Sequence, residues 1–232
     1  MTTFNALRTK GLEGAQKPIT HHEQKLEESV VRARSTIFEL AKCNEWQFFC
    51  TFTLNPTKYD RYNLETFRKD FTQLIRDLRK KYQTTIDYLL IPEMHKDGAW
   101  HMHGFISGLP TEWELREFTL KEKLPVYIRQ KLEDGSKVYE WKKYRVKFGF
   151  CDLEQIRNAE ACCKYVTKYI TKDMMTSVKE VGAHTYYCSQ GLKRAVELKR
   201  GRLAEQPLYN FENDYVHVAW IGEDDLDLLT WT

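Results

Sequence analysis

The spacing of apolar residues along the chain predicts a mixture of helices and strands. Apolar residues recur at intervals of three and four over 23–43 and over 64–82, where Asn63 is a suitable N-cap, and this period is typical of amphipathic helices. Three runs rich in aromatic and β-branched residues are predicted strands: 46–54, 86–93 and 100–107. Strand, helix, strand, hairpin and strand in this order begin a split β-α-β arrangement. The predicted fold class is therefore α+β, with a central antiparallel sheet and helices.

The second half of the chain contains the clearest helical pattern. Residues 152–173 carry apolar side chains at a 3-4-3-4 spacing, which predicts one long helix with a buried seam. At about 100° per residue, Tyr165, Tyr169 and Lys172 share the flank of this helix beside the seam. The two tyrosines are one turn apart and therefore adjacent.

A basic segment lies between the predicted strands and this helix. A short helix is predicted over 111–120, and residues 121–150 are predicted to form a hairpin around Asp134-Gly135. Lysines in this hairpin alternate with tyrosine and tryptophan, a mixture that fits contact with phosphates and stacked bases. A solvated hairpin that binds nothing fits the same pattern. The candidate nucleic-acid contacts in this segment are Lys142, Lys143 and Arg145.

Composition indicates a globular protein. The 232 residues are 42% hydrophobic and 30% charged, and the longest apolar runs are too short for a membrane span. The N-terminus lacks the apolar segment of a secretory signal. Six cysteines without a Cys-x-x-Cys spacing are typical of reduced thiols, so a cytoplasmic location is expected.

Charge is distributed unevenly along the chain. The net charge is +3, yet residues 203–232 contain seven acidic residues and no lysine or arginine, which leaves a net charge of +10 on residues 1–202. A basic body with an acidic tail suits a nucleic-acid-binding protein whose tail screens the binding surface. A solvated surface with a disordered tail has the same composition.

The segment E-M-H-K-D-G-A-W-H-M-H over 93–103 contains the strongest candidate chemistry. Residues two apart in a strand point to the same face, so His101 and His103 are expected to direct two imidazoles into one space. With the carboxylate of Glu93 they would form a half-open set of ligands for a divalent cation. Histidines are also common in half-buried strands that bind no metal, so the pair has a purely structural interpretation as well.

The turn between the two strands decides whether Glu93 joins the histidines. A two-residue Asp97-Gly98 loop would pair Glu93 with Met102 and turn the carboxylate away from the imidazoles. A three-residue loop with Gly98 in the left-handed conformation would place Glu93 opposite His101, so that the three side chains converge. The metal hypothesis therefore requires the longer loop or a bulge.

The tyrosine pair permits a specific reaction. A phenolate oxygen can attack a phosphodiester to form a phosphotyrosine, and a nearby cation favours the phenolate because the ordinary pKa of tyrosine is about 10. Tyr165 or Tyr169 is the expected nucleophile, with a preference for Tyr169 because Lys172 lies on its flank. Two tyrosines and a lysine at the rim of a sheet also occur as ordinary boundary residues.

Three segments, in this order, resemble the motifs of the HUH endonuclease superfamily. They read F-F-C-T-F-T-L-N-P, E-M-H-K-D-G-A-W-H-M-H-G-F and K-Y-V-T-K-Y-I-T-K-D. The family's histidine pair, separated by a hydrophobic residue, is His101-Met102-His103, and its Tyr-x-x-Lys motif occurs twice, ending at Lys168 and at Lys172. The doubled motif is similar to that of the two-tyrosine initiators of rolling-circle replication in single-stranded DNA phages and small plasmids.

The resemblance implies a fold like that of RNA-recognition modules and the nicking of single-stranded origin DNA in a bacterial host cell. Segment 186–193 also resembles a family stretch, which makes Lys193 and Arg194 further candidate DNA contacts. No G-x-x-x-x-G-K-[ST] motif is present, so a separate helicase and a DNA polymerase are expected partners. The resemblance implies Mg²⁺ or Mn²⁺ as cofactor, with ligands His101, His103 and Glu93. The implied catalytic residues are Tyr165, Tyr169, Lys168 and Lys172.

Two other functions fit parts of the pattern. A non-catalytic nucleic-acid-binding domain of the same fold would use only the basic surface. A metal oxygenase would hold Fe(II) with the same histidines and glutamate, but it requires an almost all-strand barrel, which the three helical patterns oppose. The predicted domain organisation is a flexible arm at 1–20, a catalytic domain at 21–202 and an acidic tail at 203–232. Within that domain we expect the N-terminal helix at 23–43 and the catalytic core at about 46–195.

Overall fold

The computed structural model describes residues 2–4, 21–180, 182–199, 201–209, 211–212, 216–219, 221–222, 225 and 229–230. The chain divides into two compact units, which are Ile19–Ala195 and the combination of Met1–Pro18 with Val196–Thr232. All six cysteines are free thiols. Within the described ranges, no helix is both long enough and apolar enough to cross a membrane.

Helices and strands are mixed along the chain. The helices are α1 (His21–Lys42), α2 (Leu64–Tyr82), α3 (Thr111–Glu114), α4 (Val126–Glu133), α5 (Lys142–Lys147), α6 (Ala159–Val166) and α7 (Lys172–Glu180), with a 3-10 turn at Thr167–Tyr169. The strands are β1 (Thr2–Phe4), β2 (Phe48–Thr53), β3 (Asp87–Met94), β4 (Trp100–Ser107), β5 (Leu115–Glu117), β6 (Val138–Trp141), β7 (Cys151–Gln155), β8 (Tyr187–Cys188), β9 (Phe211–Glu212) and β10 (Val216–Val218).

Strands β2 to β8 form one open antiparallel sheet in the larger unit. Its order is β5-β6-β7-β2-β4-β3-β8, so β2 and β4 lie at the centre. The helices accompany this open sheet, and the predicted α+β class is confirmed. An open sheet is not the closed barrel that the oxygenase alternative requires.

The central strand β2 separates two different faces of the sheet. Phe52 faces α2, and its ring centroid lies 5.5 Å from that of Phe71. Because side chains alternate along a strand, Thr51 and Thr53 point to the opposite face, and both are only partly buried. One face is therefore filled by the aromatic core beneath α2, and the other carries the polar side chains from which the candidate site is built.

Helix α2 has the bounds that the sequence predicted. The Asn63 side chain accepts a hydrogen bond from the backbone N–H of Thr66, which satisfies a free donor of the first turn. At the other end, Gln83 adopts a left-handed conformation with φ 50° and stops the helix. The buried side chains of α2 recur with helical spacing: Leu64, Phe67, Phe71, Leu74, Ile75 and Leu78.

Strands β3 and β4 approach so closely at Gly104 that no side chain fits there. The residue has φ +154°, and a Cβ built on it would lie 1.9 Å from the carbonyl oxygen of Leu89. This close approach brings β4 against β3 next to the histidine segment. Glycine at this position is thus a requirement of strand packing.

The predicted helix over 152–173 is wrong at both ends. Its first residues belong to β7, which pairs with β2 and buries Leu153 completely. Helix α6 begins after Asn158, whose side chain accepts the backbone N–H of Ala161. The 3-10 turn then ends at Ile170, which has the extended dihedrals φ −87° and ψ 92°. Pairing within the sheet overrides the helical period at one end, and this extended residue interrupts the helix at the other.

The predicted hairpin over 121–150 and the predicted helix over 111–120 are also wrong. Residues 121–150 form α4, β6 and α5, and the short helix ends at Glu114, where β5 follows. Trp141 and Tyr144 are both 0% exposed, so they fill the core instead of lying between surface lysines. The ring centroid of Trp141 lies 6.1 Å from that of Phe71 in α2.

The smaller unit contains a three-stranded antiparallel sheet. Strand β1 pairs with β10, with Thr3 opposite His217, and β10 pairs with β9. The apolar pattern of the sequence did not indicate this pairing between segments predicted as an arm and a tail. Most of the predicted arm lies outside the described residues, and the predicted boundaries at residues 20 and 202 stay predictions.

Candidate active site

The hairpin between β3 and β4 has the register that the metal hypothesis requires. The backbone N–H of His95 donates to the carbonyl of Ala99 at 2.9 Å, which leaves residues 96–98 as a three-residue loop. Gly98 in this loop has φ +82°, the left-handed conformation that the turn needs. Glu93 consequently lies directly opposite His101, and the predicted register is confirmed.

The carboxylate and both imidazoles lie on the polar face of the sheet. Nε2 of His103 is 2.7 Å from Oε2 of Glu93, and the His103 side chain is buried. Nδ1 of His101 lies 3.2 Å from the hydroxyl of Thr53 on the neighbouring strand. The three residues that the sequence singled out here are therefore brought together by strand pairing alone.

A third imidazole, which the sequence interpretation missed, completes this group. The ring of His95 stacks on that of His101 with centroids 3.6 Å apart, and its Nε2 is 3.9 Å from Oε2 of Glu93. His95 stands two residues after Glu93. The alternation that links His101 to His103 links Glu93 to His95 in the same way, so the signal was present in the sequence.

Burial and neighbouring charges hold this group in the form that binds cations. Burial, reinforced by repulsion from His95 and His103, lowers the pKa of His101 to about 4. The hydrogen bond from His103 lowers the pKa of Glu93. Near neutral pH the site thus contains a neutral His101 imidazole and an ionised carboxylate, and metal ligands must be deprotonated in this way.

The donor chemistry fits a divalent cation, but the side chains are not arranged as a coordination shell. Within the described part of the chain, no group of three or more His, Cys, Asp or Glu side chains has an arrangement that could hold a metal ion. Glu93 is engaged by His103, whose Nδ1 is buried without a hydrogen-bond partner among the described atoms. Cation binding would have to replace the hydrogen bond between Glu93 and His103.

The two tyrosines lie on the same face of the sheet as the histidines. The ring of Tyr169 stacks on that of His103, with centroids 4.1 Å apart and an interplanar angle of 3°. The Tyr169 hydroxyl donates a hydrogen bond of 3.2 Å to the Tyr165 hydroxyl. The ring of Tyr165 contacts Phe49, which points to this face from β2. Imidazoles and phenols therefore meet in one space.

The two tyrosines differ in their electrostatic surroundings. Burial raises the pKa of Tyr165, but hydrogen bonds from Lys168 and Tyr169 outweigh it, so the pKa lies below its ordinary value. Burial, followed by the hydrogen bond to Tyr165, raises the pKa of Tyr169. Nζ of Lys168 lies 3.5 Å from the ring centroid of Tyr165. Tyr165 is therefore the more readily ionised of the two.

The structural argument that favoured Tyr169 as nucleophile does not hold. It depended on Lys172 following Tyr169 on one continuous helix, and the extended Ile170 interrupts that helix. The side chain of Lys172 lies outside the described residues, and the predicted role of Lys172 stays a prediction.

Helix α1 holds the end of the tyrosine segment. Nε of Arg34 donates a hydrogen bond of 2.9 Å to the carbonyl of Ile170, 136 residues further along the chain. That carbonyl directly follows Tyr169 and would otherwise be left free where the 3-10 turn ends. Arg34 therefore fixes the position of the residue that adjoins the second tyrosine.

The histidines and tyrosines line a cavity of about 840 Å³ that extends across β2 to α4. The opposite wall contains Tyr127 and Lys131, which both contact Asp152. Asp152 is 1% exposed, and burial raises the pKa of its carboxyl group. The sequence interpretation missed this wall, because it assigned Tyr127 and Lys131 to a hairpin and Asp152 to a helix.

The five predicted nucleic-acid contacts are not among the side chains that line this cavity. Lys143 pairs with Glu114 at 3.3 Å, and Arg145 lies 3.5 Å from Glu140. Arg194 pairs with Glu39 at 3.4 Å. The remaining two contacts reach other backbone or side-chain atoms: Lys142 Nζ donates to Trp113 O, and Lys193 N donates to Asn44 Oδ1. Their role in binding nucleic acid stays a prediction.

Comparison with known proteins gives one match. Residues 47–174, which include the histidine segment and both tyrosines, match the family of replication-associated proteins of the ORF2 type. No curated protein and no solved structure matches the chain.

Proposed function

The chain belongs to this family of replication-associated proteins, and from this premise we propose that it starts replication by nicking single-stranded DNA through a tyrosine. In this proposal the protein cuts one strand at a rolling-circle origin, stays attached to the 5′ phosphate, and later rejoins the strand. It thereby acts as an endonuclease and a strand transferase of the HUH type.

The observation that carries the proposal is the contact between Tyr169 and His103. Their stacked rings, 4.1 Å apart, bring a nucleophile-bearing turn and a cation-binding group to one side of the sheet. A phosphodiester seated in the cavity could touch both. Had the imidazoles and phenols lain on opposite faces, no single phosphate could reach them together.

Tyr165 is the proposed first nucleophile. Its phenolate oxygen attacks the phosphorus, a bond between this oxygen and phosphorus forms, and the bond from phosphorus to the 3′ oxygen breaks. The 3′ oxygen leaves with the electron pair and takes a proton from water to become a 3′ hydroxyl. Lys168 and the donating Tyr169 hydroxyl stabilise the phenolate before attack. Rejoining is the reverse reaction, in which a 3′ hydroxyl displaces the tyrosine.

We propose that His101, His103 and Glu93 hold Mg²⁺ or Mn²⁺, with His95 as a further candidate ligand. A bound divalent cation supplies Lewis-acid polarisation of the scissile phosphate. In the absence of a cation, the hydrogen bond from His103 keeps the Glu93 carboxylate ionised and close to the imidazoles.

The proposal is tested with a pool of single-stranded oligonucleotides of random sequence, each carrying a fluorophore at the 3′ end. After incubation with Mn²⁺ or Mg²⁺, a denaturing gel detects the covalent product, because the 3′ fragment remains on the protein. The wild type is expected to form this product. Tyr165→Phe should reduce it more than Tyr169→Phe at neutral pH, and the double variant should form none.

Tyr62→Phe is the matched control, since Tyr62 is 55% exposed and is not among the residues that line the cavity. It should form the product at the wild-type level. Glu93→Gln or an excess of chelator should lower the yield by more than about 100-fold. A covalent product in the double variant would refute the assignment of the tyrosines.

The proposed partners follow from what the chemistry leaves to be done. A 3′ hydroxyl is the primer that a DNA polymerase extends, and displacing the old strand requires a helicase. The sequence has no nucleotide-binding motif of the G-x-x-x-x-G-K-[ST] type, so we propose that another protein unwinds the duplex.

A further inference from the structure

A second concave surface lies on the face of the sheet opposite the tyrosines. It has a volume of about 560 Å³, and its lining residues are Lys81, Tyr82, Trp113, Glu114, Lys142 and Lys143. Tyr82 is the last residue of α2, the helix that covers Phe52. Since Tyr165 contacts Phe49 on the other face of β2, this surface is separate from the candidate active site.

Two aromatic rings form the floor of this surface. The rings of Tyr82 and Trp113 are stacked with centroids 5.6 Å apart and an interplanar angle of 3°. Trp113 is 65% exposed although tryptophan is usually largely buried. A flat indole held parallel to a phenol and open to solvent is a platform on which another planar ring can stack.

A buried carboxylate fixes the position of these rings. Glu114 is 2% exposed and accepts hydrogen bonds from the Tyr82 hydroxyl at 2.6 Å and from Nε1 of Trp141 at 3.3 Å. Lys143 pairs with the same carboxylate at 3.3 Å. These bonds hold Tyr82 in place before any ligand arrives, so little conformational entropy is lost when a ligand binds.

Positive charge surrounds the rings. The lining residues include three lysines and one carboxylate, which gives a local net charge of +2. Nζ of Lys81 lies 4.5 Å from the ring centroid of Tyr82, and Nζ of Lys142 donates to the carbonyl of Trp113 at 3.1 Å. The cations thus stand at the edges of the aromatic platform, where phosphates flanking a stacked base would lie.

We propose that this surface binds single-stranded DNA, with one base stacked on Trp113 and the adjacent phosphates bound by Lys81 and Lys142. Exposed aromatic rings bordered by cations are the usual means of binding single strands without reading their sequence. The choice of DNA over other nucleic acids rests on the proposed function. An acidic protein segment would also be attracted by the lysines, but it offers no planar base to the indole.

The experiment measures the affinity of the full-length protein for fluorescent oligothymidylate of 15 nucleotides. Trp113→Ala should weaken binding about tenfold, whereas Trp113→Tyr, which keeps a stacking ring, should stay within about twofold of the wild type. Lys142→Ala should reduce the slope of log affinity against log salt by about 0.7, the value for one phosphate contact on a single strand. Val31→Ala and Lys121→Ala, both at exposed positions on other elements, should change neither quantity.

Equal affinity of Trp113→Ala and the wild type would overturn the inference, as would a Trp113→Tyr variant that binds as weakly as Trp113→Ala. A change of oligomeric state in Trp113→Ala by light scattering, with DNA affinity unchanged, would assign the surface to a protein partner and also overturn it. Covalent product formation with a short randomised oligonucleotide should be the same in Trp113→Ala and the wild type. This measurement separates a failure here from a failure of the proposed nicking reaction, which depends on Tyr165 and Tyr169.

Discussion

Tyr165 and Tyr169 are one helical turn apart, yet their surroundings push their pKa values in opposite directions. Tyr165 is 47% exposed, accepts a hydrogen bond from Tyr169 and lies beneath Lys168. Tyr169 is more deeply buried, stacks on His103 and donates its proton to its neighbour. Two residues of one type thus acquire separate roles from environment alone.

The first prediction concerns the pH dependence of covalent product formation. Below the pKa of Tyr165, the rate should rise with pH because the phenolate fraction rises. Tyr169→Phe removes a hydrogen bond that lowers this pKa, so the pKa should rise and the profile should move to higher pH. Single-turnover rates between pH 6 and 10 provide the measurement.

Lys168→Met should move the profile in the same direction, because it removes the hydrogen bond from Lys168 that also lowers the pKa of Tyr165. Lys164→Met is the matched control, since Lys164 is paired with Glu160 at 2.8 Å. A shift of the Tyr169→Phe profile towards lower pH would contradict the assignment of Tyr165.

The sequence predicted Glu93, His101 and His103 as neighbours, because strand alternation and the Asp97-Gly98 turn are local rules. His95 follows the same rule and was overlooked. The position of Lys168 over the Tyr165 ring was not predictable in this way, because it depends on a 3-10 turn that closes in place of the next helical turn.

At the scale of elements, the site depends on how closely β3 and β4 pair. Gly104 lies one residue after His103, and the backbone of Leu89 occupies the space of any side chain at this position. The same contact that excludes a side chain keeps the histidine strand in register with Glu93. Stability and site geometry therefore depend on a single backbone contact.

The second prediction follows from this contact. Gly104→Ala should destabilise the fold by about 3 kcal/mol or more, because the methyl group would meet the Leu89 carbonyl at 1.9 Å. Gly135→Ala is the control: Gly135 has φ +78° but nothing within 4 Å of its built Cβ, so only about 1–2 kcal/mol is expected. Urea denaturation measures both. Equal losses would show that the approach of the strands carries no special cost.

The third prediction concerns the hydrogen bond between α1 and the tyrosine segment. Arg34→Met keeps the aliphatic part of the side chain but loses the bond to the Ile170 carbonyl. Covalent product formation should fall about tenfold, since small displacements of a nucleophile reduce its reactivity strongly. Arg32→Met is the control, because Arg32 contacts only exposed Ser29 among the hydrogen bonds found on this helix. An unchanged rate in Arg34→Met would exclude a positioning role.

The elements that the sequence predicted well have one unambiguous period. Helix α2 has a cap and a regular apolar face, and β4 is rich in aromatic residues. The failure at 152–155 has a physical cause, since a short apolar run has no decisive period and the pairing of β7 with β2 decides its structure. Likewise, Trp141 and Tyr144 resembled surface residues because charged residues surround them in sequence, although the core encloses both.

At the scale of the molecule, the residues of the proposed site all belong to the larger unit. The core cluster runs from Val30 to Tyr187 and therefore lies inside Ile19–Ala195. The pairing of β1 with β10 joins positions more than 200 residues apart along the chain. Such pairing has no local signal, because both strands are short and the cost of closing the intervening loop is invisible in either segment.

The fourth prediction is that the fragment 19–195 folds alone and forms the covalent product. The reason is that the fragment retains the complete core cluster and every residue of the proposed site. Circular dichroism during urea denaturation should give one cooperative transition, and the denaturing gel should give the labelled band. A fragment that folds cooperatively but forms no product would indicate that the smaller unit contributes to the reaction.

The hydrogen bond between the two phenols also sets an order of events. Two phenolate oxygens 3.2 Å apart would repel each other strongly, so the pair accommodates only one negative charge at a time. Once the first oxygen is esterified to DNA, its charge is gone and the second phenol is free to ionise. The doublet thus behaves as a relay in which each tyrosine waits for the other, and this alternation needs no regulator beyond the proton that they share.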